Sequence, residues 1–206
     1  AFHLIVSDPT PQVLNEELPA LIAEGYTSFK IYMTYDDLKL DDGQILDVLA
    51  VARQQGAMAM IHAENADAIE WLTKKLEAAG RTAPRFHAHA RPMLVEREAT
   101  HRAIALSQLV DVPILVVHVS GREAVEQIRW ARGHGLQVFA ETCPQYLFLT
   151  AEDLGTDDLI DDGADHRSGN HHPHHAARRQ RRGKLRQRCR RGGAVGSQPR
   201  HRFGVR

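Results

Sequence analysis

The sequence is poor in cysteine, in aromatic residues and in long apolar runs. Only Cys143 and Cys189 occur in 206 residues. One possible pair makes no disulfide framework, which excludes a small stapled secreted scaffold and leaves a reducing, cytoplasmic setting as the expectation. No apolar run approaches the roughly 20 residues that cross a bilayer, so no membrane partner is expected. The first residues, Ala1-Phe2-His3-Leu4-Ile5-Val6, have no basic region, no cleavage signal and no initiating Met. They read as a strand already under way.

Net charge is also missing, but the zero conceals an asymmetry. Residues 1–160 carry 13 Lys+Arg against 23 Asp+Glu, a balance of −10. Residues 161–206 carry 13 Lys+Arg against 3 Asp+Glu, a balance of +10. The second stretch also holds six of the 13 histidines, and its large apolar residues are only Leu185, Val195, Phe203 and Val205. Compositions this different do not belong to one folding unit. So few apolar side chains cannot offset an ordering cost of roughly 1–2 kcal/mol per residue, and disorder is expected of residues 161–206.

Up to residue 160, short β-rich runs alternate with helical patterns. Strands are expected at residues 2–6, 28–32, 57–61, 112–119 and 136–140. Asn15 is the expected cap of a first helix bearing Leu18, Leu21 and Ile22 and closed by Gly25, with Pro19 near its start. Asp41 or Asp42 caps a second, with Ile45, Leu46, Leu49 and Ala52 inward and Gly56 at its end. Asn65 caps a third, with Ile69, Leu72 and Leu76, ending at Gly80. A loop from Arg81 to Pro92 leads to a helix through Ala99, Ala103, Ile104 and Leu106. Gly121 opens a last helix with Val125 and Ile128, stopped at Gly133 or Gly135. This alternation predicts a parallel α/β architecture. The strands read as apolar throughout, as strands covered on both faces do. An open doubly wound sheet and a β/α barrel both fit.

Polar residues recur at the C-terminal ends of the strands, the face that carries the active site in β/α barrels. Lys30 lies in Phe29-Lys30-Ile31-Tyr32, His62 ends Met60-Ile61-His62, His118 ends Val116-Val117-His118, and Glu141 follows Phe139-Ala140. Each has a plainer reading. A strand-end histidine can be a hydrogen-bonded structural residue. Lys30 can snorkel to solvent, although a lysine inside an apolar strand is costly when buried unpaired. Glu64 and Glu141 can simply begin the next helix or loop, and Cys143 reads as a small buried apolar residue.

Four segments in order resemble the hydantoinase and dihydropyrimidinase family of the amidohydrolase superfamily. They are Phe29-Lys30-Ile31-Tyr32-Met33-Thr34-Tyr35, Ile61-His62-Ala63-Glu64-Asn65, Val116-Val117-His118-Val119-Ser120, and Glu141-Thr142-Cys143-Pro144-Gln145-Tyr146-Leu147. Arg91-Pro92, Glu96, Glu98-Ala99 and Arg102-Ala103-Ile104 fit as well, and the match covers roughly residues 1–156. The resemblance implies part of a TIM-type (β/α) barrel over residues 1–160. It implies a binuclear centre of divalent metals, usually zinc, bridged by Lys30 carboxylated on its amine, with His62 and His118 on the second metal. Carboxylation would also solve the problem of a buried lysine, by turning a cation into an anionic oxygen ligand. Tyr35 would hydrogen-bond the substrate carbonyl and stabilise the oxyanion. The substrate would be a small cyclic amide or imide, opened to an N-carbamoyl amino acid. Tyr35, five residues after Lys30, favours this family over the allantoinase- and dihydroorotase-like relatives. The family is homo-oligomeric, an assembly not expected of a piece this short.

Three departures stand against the family pattern. The first-strand His-x-His metal pair is absent. His87-Ala88-His89 has that spacing but lies before Arg91-Pro92, and reads as loop residues. The strand bearing the last aspartate, a metal ligand and proton shuttle, is absent too. The chain therefore reads as an internal piece, expected to be inactive as it stands. Third, beyond Gly155 the sequence turns into a His- and Arg-rich stretch. A basic nucleic-acid-binding extension is one reading. Out-of-frame translation is the favoured one, because the stretch lacks aromatic interleaving and helical period and begins mid-domain. No nucleic-acid partner is expected.

Overall fold

The computed structural model describes residues 2–154. They belong to the first of two units, Ala1–Leu159. The expectations for residues 161–206, including the His cluster and Cys189, fall outside the described residues.

Among the described residues five strands form one parallel sheet: β1 Leu4–Ile5, β2 Ser28–Tyr32, β3 Met58–His62, β4 Ile114–Val116 and β5 Val138–Ala140. Their spatial order is the sequence order, β1-β2-β3-β4-β5. A doubly wound sheet reverses its order at a switch point and carries helices on both faces. Right-handed crossovers that always step the same way put every helix on one face instead. The packing agrees: α1 Leu18–Ala23, α2 Asp42–Gln55, α5 Met93–Val110 and α6 Arg122–Gly133 touch in one row, α1 on α2, α2 on α5, α5 on α6. The described unit is an arc of a β/α barrel, with α3 Ala66–Ala78 and the short α4 His87–Ala90 inserted between β3 and α5.

The strands do alternate, contrary to the expectation of two covered faces. Register aligns Ile5, Lys30, Met60, Leu115 and Phe139 across all five strands. That row is half-buried or exposed, with Ile5 at 55 % and Phe139 at 46 %. The neighbouring residues Phe29, Ala59, Ile114 and Val138 point to the helices and are buried. Core packing therefore lies between sheet and helices, around Phe29, Ile31, Ile45, Leu49, Ile61 and Ile104.

Local signals placed several helix ends. Asp41 closes a capping box with Gln44, and Gly56 ends α2 in the left-handed region. Asn65 accepts from the amide of Ala68 at the start of α3. Asn15 does not cap the first helical segment. Thr10 accepts the Val13 amide, while Asn15 lies a turn inside and donates to the Pro11 carbonyl. Pro19 has no amide for the carbonyl a turn behind it, and the backbone there widens into a π-turn, Val13–Glu17. Val125 is exposed rather than inward. Ala124, Ile128 and Ala131 form the buried stripe of α6, and Val125 sits about 100° round from Ala124. The loop from Arg81 to Pro92 contains a 3₁₀ turn, Pro84–Phe86, as well as α4. Among the described residues no helix is long and apolar enough to cross a membrane.

Candidate functional site

Strand alternation puts Lys30 and Tyr32 of β2, and Met60 and His62 of β3, on the face of the sheet opposite the helices. Tyr32 pairs with His62 in register, and their rings stack with centroids 5.6 Å apart. The Lys30 ammonium lies over the Tyr32 ring, 4.8 Å from its centroid. Among the described residues Lys30 has no carboxylate ion-pair partner, so the ring quadrupole is the local compensation for its charge.

His118 reaches the same face by breaking the strand. On strict alternation Leu115 and Val117 share the face of Lys30, and His118 follows Val116 toward the helices. The backbone of His118 instead turns into the left-handed region, φ 41°. The expected strand through residue 119 therefore stops at Val116, and pairing resumes when Val119 donates to the Glu141 carbonyl. The turn brings His118 Nε2 to 2.9 Å from His62 Nδ1. His62 is only 6 % exposed. Burial pushes the pKa of His118 down, and the nearby His62 and Lys30 push the same way. A neutral imidazole is the form that presents a lone pair.

Tyr35 is the second non-glycine site residue with a left-handed backbone, φ 73°. Its carbonyl accepts from the amides of Leu38 and Lys39, a turn that holds the ring 5.0 Å from His62. Burial raises the phenol pKa, Glu64 adds to that, and Arg91 partly opposes it. At neutral pH Tyr35 is therefore a hydrogen-bond donor. Lys30, His62, His118 and Tyr35 thus share one end of one face.

Two charged residues complete the site. Glu64 does not simply start α3, since Asn65 takes the cap. Its Oε2 lies 2.8 Å from His62 Nε2 and 3.7 Å from Arg91 Nη1. The i, i+2 spacing of His62 and Glu64 along an extended segment was the available signal. Arg91 carried a family signal in Arg91-Pro92 but none that it would reach Glu64, because it arrives from a distant loop. Glu141 does behave as a loop residue and contributes its backbone. Cys143 is half-buried beside Tyr146 rather than in the core. His87 and His89 do not converge: His87 Nε2 accepts from Arg91 Nε, while His89 Nδ1 lies near the Arg85 carbonyl.

The site rests on a braced support. Glu96 of α5 accepts from the Ser120 amide, the Ser120 hydroxyl and the Gly121 amide, which pins the loop carrying His118. A Cβ at Gly121 would meet Glu96 Oε2 at 2.7 Å and Met93 Cγ at 3.1 Å, so a side chain there would have to displace the carboxylate that holds the loop. Asn65 donates to Glu98, and Arg102 joins Glu98 to Asp42, which ties α2 and α5 to the start of α3.

Among the described residues no three His, Cys, Asp or Glu side chains are arranged so that they could hold a metal ion together, Glu64 being on the opposite edge of the His62 ring from His118. The convergent nitrogens of His62 and His118 are a two-imidazole set, to which Lys30 would add oxygen only if carboxylated. Imidazole with carboxylate-type oxygen suits zinc. The residues present therefore fit part of a metal site.

No protein-family model matches the sequence. The chain is 49% identical over 159 residues to the D-hydantoinase of Streptomyces coelicolor, covering 77% of this chain and 34% of that one. It is 51% identical over 150 residues to the D-hydantoinase of Geobacillus stearothermophilus, covering 72% and 32%. In structure it resembles the dihydropyrimidinase of Brevibacillus agri, with 46% identity and a TM-score of 0.74 over 77% of this chain and 34% of the other. The chain thus spans about a third of the length of the curated relatives it matches.

Proposed function

Because this chain carries a segment of the hydantoinase and dihydropyrimidinase family, we propose that it forms one flank of a metal-dependent site that opens cyclic amides. The substrates are hydantoins or dihydropyrimidines and the products N-carbamoyl amino acids. The observation that carries this reading is the 2.9 Å approach of His62 Nδ1 and His118 Nε2. Lys30 stands on the same strand face, and Tyr35 packs on His62.

In this reading His62 and His118 would hold a divalent metal through their imidazoles, and Lys30, once carboxylated on its amine, would add an anionic oxygen ligand. Zinc suits these donors. When bound, the metals supply Lewis acidity and lower the pKa of water. Water adds across the ring C–N bond. The carbonyl carbon gains the oxygen, the C–N bond breaks, the ring nitrogen takes one of the water protons, and the other is released to solvent as the new acid ionises to carboxylate. The Tyr35 phenol, protonated because burial raises its pKa, donates to the carbonyl oxygen as negative charge develops there. Tyr32 covers the Lys30 amine and backs the His62 ring, so both stay oriented.

The test is a chimera. The matching 159-residue stretch of the Streptomyces coelicolor relative is replaced by this one. Hydantoin or dihydrouracil opening that depends on Lys30 is the expected result. A folded, metal-loaded chimera that opens neither ring would overturn the proposal.

A further inference from the structure

Glu64 has no evident duty of its own. It does not cap α3, and it lies on the far side of His62 from the His118 contact. Yet its side chain is only 18% exposed, and it is held between His62 Nε2 at 2.8 Å and Arg91 Nη1 at 3.7 Å. Arg91 Nη1 is buried and makes no hydrogen bond. Arg91 Nε is taken by His87, which anchors the guanidinium from the other side. The cation therefore supplies charge at this position without taking up the Glu64 oxygen that faces His62.

The consequence lies in the imidazole. A neutral histidine carries one N–H, on Nδ1 or on Nε2. An ionised carboxylate can only accept, so the 2.8 Å contact demands the proton on His62 Nε2. Nδ1 then carries the lone pair, and Nδ1 is the atom that faces His118 Nε2. Nothing else described binds either ring nitrogen of His62. The Tyr32 and Tyr35 rings set the plane of the imidazole but are indifferent to its tautomer.

We propose that Glu64 is a positioning residue: it locks His62 in the Nε2–H tautomer and so aims the Nδ1 lone pair into the site, with Arg91 as its counter-charge. The tautomer argument stands on the geometry alone. Its use in metal binding rests on the reading of His62 and His118 as ligands. Outer-shell partners of this kind typically change metal affinity by about 10–100-fold when removed.

Nitrogen-15 NMR of the histidine rings in the full 206-residue chain tests both parts. In the unsubstituted protein, His62 should show a protonated Nε2 and an unprotonated Nδ1. Glu64→Gln keeps an acceptor oxygen and should preserve that pattern. Glu64→Ala should leave a mixture of the two tautomers. A protonated Nδ1 in the unsubstituted chain overturns the proposal without any variant, even if Glu64→Ala fails to fold. An unchanged single tautomer in folded Glu64→Ala overturns it as well. Zinc is then titrated while the ring nitrogens of His62 and His118 are followed individually, which separates this site from the other histidines. Saturation at these nitrogens should need about 10–100-fold more zinc in Glu64→Ala. Should zinc move neither ring while the tautomers behave as expected, the positioning role stands and the metal reading falls.

Discussion

His118 Nε2 stands 2.9 Å from His62 Nδ1 although strict strand alternation would turn the two side chains to opposite faces of the sheet. The left-handed backbone at His118, φ 41°, makes the meeting. A non-glycine residue there costs on the order of 1–3 kcal/mol, and such strain gathers at functional sites.

That strain is measurable. His118→Ala and His118→Gly both delete the imidazole, but only alanine retains a Cβ. His118→Gly should be the more stable of the two by about 1 kcal/mol, because relief of the left-handed strain outweighs the extra freedom glycine gives the unfolded chain. Urea denaturation of both variants decides. In an ordinary extended backbone the order would reverse.

Lys30→Ala and Tyr35→Phe should part company in the chimera. Lys30→Ala removes the side chain proposed as a metal ligand, so metal content and turnover should fall together. Tyr35→Phe removes one donor to the developing oxyanion and should lower turnover by about 100- to 1000-fold with metal content unchanged. Metal analysis alongside steady-state kinetics separates the two roles. Loss of metal in Tyr35→Phe would contradict the role assigned to it.

The brace beneath His118 should be intolerant of bulk. Gly121→Ala would place a methyl 2.7 Å from Glu96 Oε2 and 3.1 Å from Met93 Cγ. The expected loss is about 1–3 kcal/mol, as for other overpacked sites. Glu96→Ala relieves the clash but leaves the donors of Ser120 and Gly121 without their carboxylate. It should cost a similar amount, about 1–3 kcal/mol if water does not replace it. Combined, the two changes should cost less than their sum, because the clash needs both partners.

Asp41→Ala should remove the capping box of α2, at a cost of about 0.5–2 kcal/mol by thermal or chemical unfolding. Asn15→Ala should cost far less, because Asn15 only donates to the Pro11 carbonyl on an exposed surface. Equal losses at the two positions would mean that Asn15 caps after all.

Local chemistry was legible where neighbours in sequence decide the outcome. The bounds of β2, the Asp41 and Asn65 caps and the Gly56 and Gly80 stops need only turn geometry and short-range hydrogen bonds. The order of Lys30, His62 and His118 along successive strands was enough to suggest a shared site. Asn15 misled because Thr10 and Pro11 offered an earlier start, and a helix takes the cap that extends it. Val125 misled because α6 packs its alanines closely against α5, and a stripe of small residues leaves little hydrophobic signal.

By itself the sequence determined the parallel α/β alternation, the place of His62 at the end of its strand, and the family resemblance, whereas Lys30 lies mid-strand and His118 beyond a strand that stops early. Those follow from periodicity, residue type and motif order, which are properties of the chain as written. Only the tertiary structure decided that the strands run in unbroken order as a barrel arc, that His118 turns back to meet His62, and that Arg91 backs the Glu64 that grips the same ring. Each depends on contacts between segments far apart in sequence. Such contacts form only when the helices settle on one face of the sheet, and no local propensity encodes them.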